Sequence, residues 1–194
     1  TRLRPPRDSN SARQYRPLLK PGLHKLIGFA QRQQGLMVAP GNPLGLRDMA
    51  TVATLGARFA QRALGTGTRV LQDELLGEAG LSVHHLRVVG EDEPSHAACA
   101  ARVASGQVDA ALGIASAARA QGLGFVPLLA EQYHLVCLKS ALDTPPMVAL
   151  RALLSSDDWQ LALSAIAGYA PNGPGQVQAL SQTLPWWRFK SAKS

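Results

Sequence analysis

The sequence predicts an α/β fold, and three features of it carry that prediction. Short apolar runs that suit buried strands alternate with longer segments whose apolar residues recur at helical spacing. Glycine, proline and serine punctuate the boundaries between them. Hydrophobic residues make up 46% of the 194 positions, which is enough for a core in one domain or in two small lobes. Such alternation is typical of a sheet whose strands are mostly parallel.

The first half of the chain begins with a polar, arginine-rich and proline-containing segment over residues 1–20, which reads as an arm or linker. A strand is then expected over 23–30 and a second one over 35–39, where Pro40 and Gly41 stop it. The elements that follow are a helix over 46–55, a strand over 57–60, a glycine–threonine loop and a helix to about residue 78.

The second half continues the alternation. Residues 83–89 alternate in hydropathy and predict a strand. Ser95 is a good cap for a helix over 96–105 that closes at Gly106. Ser155 and Asp158 stand at capping-box spacing and open a late helix. The remaining expectations are strands over 108–114, 125–129 and 133–139 and helices over 116–121 and 147–154.

The net charge of +7 is concentrated at the start of the chain. Residues 1–32 hold eight basic side chains and one acidic side chain, whereas the rest of the chain holds twelve of each. The basic segment is either a contact for nucleic acid or an acidic partner, or a solvated linker. The body of the protein is neutral.

The cysteine positions and the hydropathy of the chain argue against several classes of protein. Cys99 and Cys137 stand far apart in apolar runs, which indicates buried thiols rather than a disulfide framework or a zinc ribbon. No apolar run approaches the roughly 20 residues of a membrane span. The first residues contain no hydrophobic signal region, which leaves the compartment open, because a processed exported protein would lack one too.

The sequence Gly65-Thr66-Gly67-Thr68-Arg69 lies between a short strand and a helix. The start of a helix leaves backbone N–H groups without partners, and the helix dipole adds partial positive charge there. Glycines let that backbone approach a ligand, and the threonines add hydroxyl donors. The segment therefore suits a tetrahedral oxyanion, or it is simply a capped loop. It is not a Walker phosphate loop, because it has no lysine at the required place.

Several segments together resemble one family. They are residues 32–43, 61–69, 95–98, 104–109, 113–114, 124–128, 131–133 and 184–189. In this order they are similar to the periplasmic-binding-protein-like domain that follows a winged helix-turn-helix in molybdate-responsive regulators, and that is also fused to molybdenum-cofactor synthesis proteins. The likeness runs over roughly residues 15–189.

This resemblance implies a type II periplasmic-binding fold, with two α/β lobes, two connecting strands and a ligand in the cleft between the lobes. The expected parts are the arm over 1–20, part of the first lobe over 21–44, the second lobe over 45–125, and a return to the first lobe with C-terminal helices over 126–194. The family opens with a further strand and helix that this sequence does not contain, so we expect an incomplete first lobe. Thr66 replaces the family's usual serine.

The resemblance also implies a function. The chain would be the sensor domain of a cytoplasmic regulator and would bind molybdate or tungstate without a cofactor. DNA would be contacted only through a helix-turn-helix domain absent from this chain, with no membrane contact and with a homodimer as the usual assembly. The alternative is a periplasmic receptor that delivers the same anion to an ABC transporter. A molybdopterin fragment is a larger candidate ligand.

The expected ligand-binding residues start with Thr66, Gly67, Thr68 and Arg69. The backbone N–H groups of Gly67 and Thr68 and both threonine hydroxyls would donate to the anion. Arg69 either neutralises the ligand or pairs with a carboxylate such as Asp73, four residues further along the helix.

Four further positions complete the predicted site. Ser95 is a donor or a plain helix cap, and His96 is an anion contact or a structural residue. Gly113, with Ile114, either offers backbone N–H groups at a strand end or only packs closely. Tyr133 either closes over the ligand with its hydroxyl or is a buried tyrosine bonded to backbone.

Two other kinds of site find little support. His84, His85, His96 and Cys99 invite a metal hypothesis, but only His96 and Cys99 share a helix face, and adjacent histidines in a strand point to opposite faces. There is no Ser/His/Asp or Cys/His arrangement and no pair of carboxylates near the glycine loop, so an enzyme is not expected. Trp159, Trp186 and Trp187 are expected in packing rather than in an aromatic ligand box.

Overall fold

The computed structural model describes residue 13 and residues 15–184, which form two compact units. Unit 2 is the continuous segment Gln33–Leu129, and unit 1 combines the described residues up to Arg32 with those from Ala130 onward. The chain passes between the units twice, in two long strands. These units divide the chain at 32/33 and at 129/130. The lobes expected over 21–44, 45–125 and 126–194 stay a prediction.

Unit 2 is built from strands that are followed by helices. Its elements are the second part of β1 (His24–Val38), α1 (Met49–Thr54), β2 (Arg58–Ala60), α2 (Gly67–Glu78), β3 (Arg87–Val88), α3 (His96–Ala104), β4 (Ala110–Ile114), α4 (Ala115–Ala120) and the first part of β5 (Gly124–Leu138). The strands lie in the order β3-β2-β4-β1-β5.

The expectation of mostly parallel strands is wrong beyond three of them. β2 pairs in parallel with β3 and with β4, whereas β1 runs antiparallel to β4. α2 connects β2 to β3 and α3 connects β3 to β4, and such helical crossovers return the chain to the same end of the sheet. The short helix α1 also follows β1, yet β1 runs antiparallel to β4.

The core of unit 2 lies on both faces of this sheet. Phe59 in β2 and Leu36 in β1 are fully buried on one face together with Leu76 of α2. Met37 of β1 lies on the other face with Cys99 and Val103 of α3. Burial of each such side chain contributes about 1.5–3 kcal/mol to the free energy of unfolding, so the packing fixes where the helices begin.

Unit 1 contains the first part of β1 and the second part of β5. Its other elements are α5 (Pro145–Ser155), α6 (Asp157–Ser164), β6 (Tyr169–Pro171), β7 (Val177–Gln178) and α7 (Leu180–Thr183). Both β6 and β7 run antiparallel to β1. Leu26 packs with Leu180 and with Leu19, so the last part of the predicted arm belongs to this unit. Residues 1–12 and 14 of that arm lie outside the described residues.

Two pairs of predicted strands merge into single strands. β1 joins the segments expected over 23–30 and 35–39, and β5 joins those over 125–129 and 133–139. Gln31 and Gln33 in the middle of β1 are exposed, at the point where the chain leaves unit 1. A polar interruption in an apolar pattern therefore marks a change of unit here and not the end of a strand.

The strand predicted over 83–89 is largely wrong. Residues Val83–His85 form a 3₁₀ turn, and only Arg87–Val88 is strand. The backbone N–H of Ser82 donates to Nδ1 of His85 at 3.1 Å, and such local side-chain bonds compete with a strand ladder. His84 and His85 therefore do not occupy opposite faces of a strand.

The helix caps agree with the sequence in one case and shift in another. Ser95 caps α3, as predicted, through a hydrogen bond that its hydroxyl accepts from the N–H of Ala98. α6 is capped by Ser156 and not by Ser155, whose hydroxyl donates to the carbonyl of Pro174 instead.

Among the described helices, none has the length and apolar character needed to cross a membrane.

Candidate functional site

The candidate site of unit 2 lies where the parallel strands end. β2 leads into the glycine–threonine loop and α2, and β3 leads into the turn that opens α3. In open α/β sheets, ligands bind beyond the carboxyl ends of the strands, because helix N-termini meet there. The two longest helices of unit 2 thus start on the edge at which a ligand is expected.

The start of α2 is held by Thr66. Its hydroxyl accepts a hydrogen bond from the N–H of Arg69 at 3.3 Å and donates to the carbonyl of Ala63 at 2.8 Å. Gly65 before it has φ of +83°, a conformation that favours glycine. The hydroxyl proton of Thr66 is therefore engaged within the loop, and donation to an anion would require this bond to break.

Thr68 offers a different arrangement. Neither its backbone N–H nor that of Gly67 has an acceptor among the described residues, as is expected for the first turn of a helix. The Thr68 side chain is buried, with 3% of its surface exposed. Its Oγ1 lies 3.5 Å from Nε2 of His96, the first residue of α3. The structure thus brings the starts of α2 and α3 together through Thr68 and His96.

Arg69 pairs with carboxylates. Its guanidinium lies 3.7 Å from Oδ1 of Asp73 and 3.5 Å from Oδ2 of Asp92, and Nη1 donates to the carbonyl of Arg62 at 3.3 Å. The side chain is 10% exposed. Of the two expectations for Arg69, the carboxylate pair is the one that the structure contains, and its charge is matched twice.

The residues around Arg69 form a polar network that the sequence did not single out. Gln61 donates to Oδ1 of Asp92 at 2.7 Å and accepts from the buried Gln72 at 3.4 Å. Arg62 donates to the carbonyls of Glu93 at 3.1 Å and Pro94 at 2.9 Å. A signal existed, because two polar residues directly follow the buried strand that ends at position 60.

Gly113 and Ile114 lie in the sheet ladder. They pair with Gly35 and Gln34 of β1. The side chain of Met37 fills the space that a Cβ on Gly113 would need, with Cε 2.5 Å from that position. This close packing accounts for the glycine by itself. Their predicted role toward a ligand stays a prediction.

Tyr133 belongs to unit 1, whereas the site residues described so far belong to unit 2. Its ring centroid lies 6.4 Å from that of Phe29 and 4.3 Å from the guanidinium carbon of Arg32. Arg32 in turn donates to Oε2 of Glu131 at 2.6 Å. Burial acts to lower the pKa of Arg32, but the charge and hydrogen bond of Glu131 outweigh it and raise that pKa. Tyr133 is 39% exposed and is not the buried tyrosine considered above.

Trp159 and the two cysteines are in packing positions. Trp159 lies beside Phe29 at a centroid distance of 5.5 Å in unit 1, and Trp186 and Trp187 fall outside the described residues. Both thiols are buried, as predicted. Burial raises the pKa of Cys99 to about 11, which makes it a poor nucleophile and a poor metal ligand. Within the described residues, no group of three His, Cys, Asp or Glu side chains is placed to hold a metal ion.

Two curated relatives share part of the sequence. YvgK, an uncharacterized protein of Bacillus subtilis (strain 168), is 35% identical over 152 residues, which cover 78% of this chain and 49% of that protein. The chain thus spans about half the length of this relative. An uncharacterized protein from the 5′ region of the ferredoxin 2Fe-2S gene of Clostridium pasteurianum is 27% identical over 109 residues, covering 56% of this chain and 96% of that protein.

Solved structures share the fold at low sequence identity. Peb3 from Campylobacter jejuni has a TM-score of 0.56 at 16% identity and covers 76% of this chain and 69% of its own. PEB3 with L-phospholactate bound has a TM-score of 0.58 with the same coverage. A mutant of ArgBP from T. maritima has a TM-score of 0.53 at 16% identity, covering 74% of this chain and 62% of its own.

The sequence also matches the model of a protein family. The model of the PBP superfamily domain matches residues 3–155, which is well over half of the sequence. The α/β architecture and the neighbouring periplasmic-binding-protein folds agree with it. This chain belongs to the PBP superfamily.

Proposed function

We propose that this chain is the ligand-binding domain of an oxyanion sensor, with molybdate or tungstate as its ligand and a transcriptional regulator as its context. Domains of this superfamily bind small ligands, and their fold is a binding-protein fold. The ligand and the regulatory role come from the sequence resemblance described above. DNA binding would be supplied by a separate helix-turn-helix domain in the cytoplasm, with a homodimer as the acting form.

The observation that carries the proposal is the convergence of Thr68 and His96. Two helix starts meet at a separation of 3.5 Å between a hydroxyl oxygen and an imidazole nitrogen. The N–H groups of Gly67 and Thr68 add donors at the positive end of the α2 dipole. An oxyanion presents acceptors in several directions at once, so it suits donors that arrive from two helices.

The ion pairs of Arg69 favour binding through donors at the helix starts rather than through this arginine. Arg69 is matched by Asp73 and Asp92, and its guanidinium also donates to a carbonyl. An arginine held in this way is fixed in place by protein groups. The anion would then gain its energy from N–H and O–H donors, each worth about 1.5–3 kcal/mol toward a charged acceptor.

Thermal unfolding with molybdate, tungstate, sulfate and phosphate at matched ionic strength tests the proposal. A ligand at about 100 times its dissociation constant adds about 2.7 kcal/mol to the free energy of unfolding, which is a clear rise in Tm. A rise with molybdate or tungstate alone is expected. No rise with any of the four anions would reject an oxyanion site, and a rise with phosphate alone would reject the molybdate assignment.

The second candidate is the receptor of an anion transporter, in the periplasm. It is favoured by neighbours whose own names describe binding proteins, among them an ancestral arginine-binding protein bound to arginine. PEB3 was solved with L-phospholactate, a ligand that carries a phosphate and a carboxylate. Adding phospholactate and arginine to the same unfolding series separates the candidates by ligand. Sequencing the gene upstream separates them by context, since a receptor needs a signal peptide and a regulator needs a DNA-binding domain.

A further inference from the structure

Three arginines surround the loops that open α2 and α3, and two of them are neutralised. Arg69 has Asp73 and Asp92 within 4 Å, as described above. Arg102 of α3 has Oε1 of Glu93 at 3.2 Å from its Nη1 and also donates to the carbonyl of Val89 at 2.7 Å. The charges of these two side chains are therefore cancelled locally.

Arg62 differs from both. Among the described residues, no carboxylate oxygen lies within 4 Å of its guanidinium, and its hydrogen bonds go to the backbone carbonyls of Glu93 and Pro94. Those carbonyls directly precede Ser95, the cap of α3. Backbone carbonyls orient a guanidinium but do not neutralise it, so the positive charge of Arg62 remains.

The position of Arg62 also ties the two helix starts together. Its carbonyl accepts from Arg69 in the first turn of α2, while its guanidinium holds the turn before α3. A backbone bridge between Arg62 and Glu93 continues the sheet at this point. Burial raises the pKa of Cys99, one turn into α3, and the positive charge of Arg62 opposes that rise.

We propose that Arg62 supplies the counter-charge of the anion site and thereby makes the site favour doubly charged over singly charged oxyanions. This inference rests on the proposed function and adds to it a specificity residue. Coulomb energy is proportional to the charge of the ligand, so a single cation at fixed distance stabilises a dianion twice as strongly as a monoanion of the same shape. The fold-change for the monoanion is then the square root of that for the dianion.

The test compares tungstate with perrhenate, two tetrahedral oxyanions of similar size that carry two charges and one. Affinities are measured by calorimetry, directly for tungstate and by displacement for perrhenate. The variants are Arg62→Gln, which removes the charge, and Arg62→Lys, which keeps it. The matched control is Arg87→Gln in β3, which changes the net charge equally at the opposite end of the same strands, where Arg87 pairs in register with Arg58. Thermal unfolding of each variant checks that it folds.

We expect Arg62→Gln to weaken tungstate about tenfold and perrhenate about threefold, and the tungstate loss to shrink at high salt. Arg62→Lys should recover most of the tungstate affinity, and Arg87→Gln should change either affinity less than twofold. Equal losses for the two anions, or a loss that Arg62→Lys does not recover, would reduce Arg62 to a structural residue and overturn the inference alone. If the natural chain binds neither anion, the proposed function fails and the inference with it.

Discussion

The two ends of the parallel strands in unit 2 use polar residues in opposite ways. At the amino ends, Arg58 and Asp109 form a closed pair, with Nη2 to Oδ1 at 2.7 Å and the Arg58 backbone N–H to Oδ2 at 2.7 Å. At the carboxyl ends, the N–H groups of Gly67 and Thr68 have no acceptor among the described residues. One end is satisfied by its own side chains, and the other leaves N–H donors at the start of α2.

Under the proposed function, this difference separates structural polar groups from ligand-binding ones without reference to residue type. Arg58, Arg69 and Arg102 all have carboxylate partners, and they hold loops and strand ends in place. Thr68 and Arg62 lack such partners among the described residues. Thr68 is buried, and a buried N–H donor costs free energy unless a ligand or water satisfies it.

The largest effect is expected from Phe59→Ala, because Phe59 packs the strand that connects the amino and carboxyl ends compared above. Phe59 is fully buried in the middle of β2, with Arg58 before it and Ala60, Gln61 and Arg62 after it. Phe59→Ala should lower the free energy of unfolding by about 3–5 kcal/mol, since a large cavity remains. Denaturant unfolding measures this. A loss under 1 kcal/mol would mean that the strand does not organise either end.

The next largest effect is on ligand affinity and concerns only the carboxyl ends of the strands. Thr68→Ala removes one hydroxyl donor and should weaken binding of the oxyanion by about 1–2 kcal/mol, with little change in stability. Calorimetry with tungstate or molybdate measures it. The control is Thr66→Ala, which removes the helix cap and should cost about 1 kcal/mol of stability, because Thr66 bonds within the loop. Unchanged affinity in Thr68→Ala would remove Thr68 from the site.

The smallest effect addresses the amino ends and depends on pH. Hydrogen bonds from Arg58 lower the pKa of Asp109 in the folded protein, although desolvation opposes them. A lowered folded pKa stabilises the protein above the unfolded pKa of about 3.9, and this contribution is lost as the pH falls through the folded pKa. Asp109→Asn should therefore be less stable than the natural chain at pH 7, with the gap closing below about pH 4. A gap that is constant with pH would contradict the pair.

Much of the fold of unit 2 was readable from the sequence. The apolar periodicity predicted both α2 and α3, and Ser95 as a cap placed the start of α3 at His96, because these signals act locally. The start of α2 at Gly67 falls inside the segment that was expected to be a loop. Strand direction was not readable, because it depends on pairing between distant segments. The antiparallel pair of β1 with β4 joins residues that are about 80 positions apart, beyond any local pattern.

The candidate site was readable in part for the same reason. The glycine–threonine loop could be predicted from its residue types alone. The roles of Asp92 and Arg62 could not, because they depend on contacts between two loops that are distant in the sequence. The hydrogen bond that the Thr66 hydroxyl donates within the loop was also not predictable, because Ser and Thr serve equally well as helix caps and as hydrogen-bond donors to a ligand. Only the partners of each group distinguish the two uses.

The division of the chain into a continuous unit 2 and a two-part unit 1 has a consequence for synthesis. A ribosome synthesises all of Gln33–Leu129 before it begins the second part of unit 1, at about 5–20 residues per second. Unit 2 can therefore form its core before β6 and β7, the pairing partners of the first part of β1, have been synthesised. The nascent chain carries an unpaired strand segment during that interval, and chaperones recognise such segments.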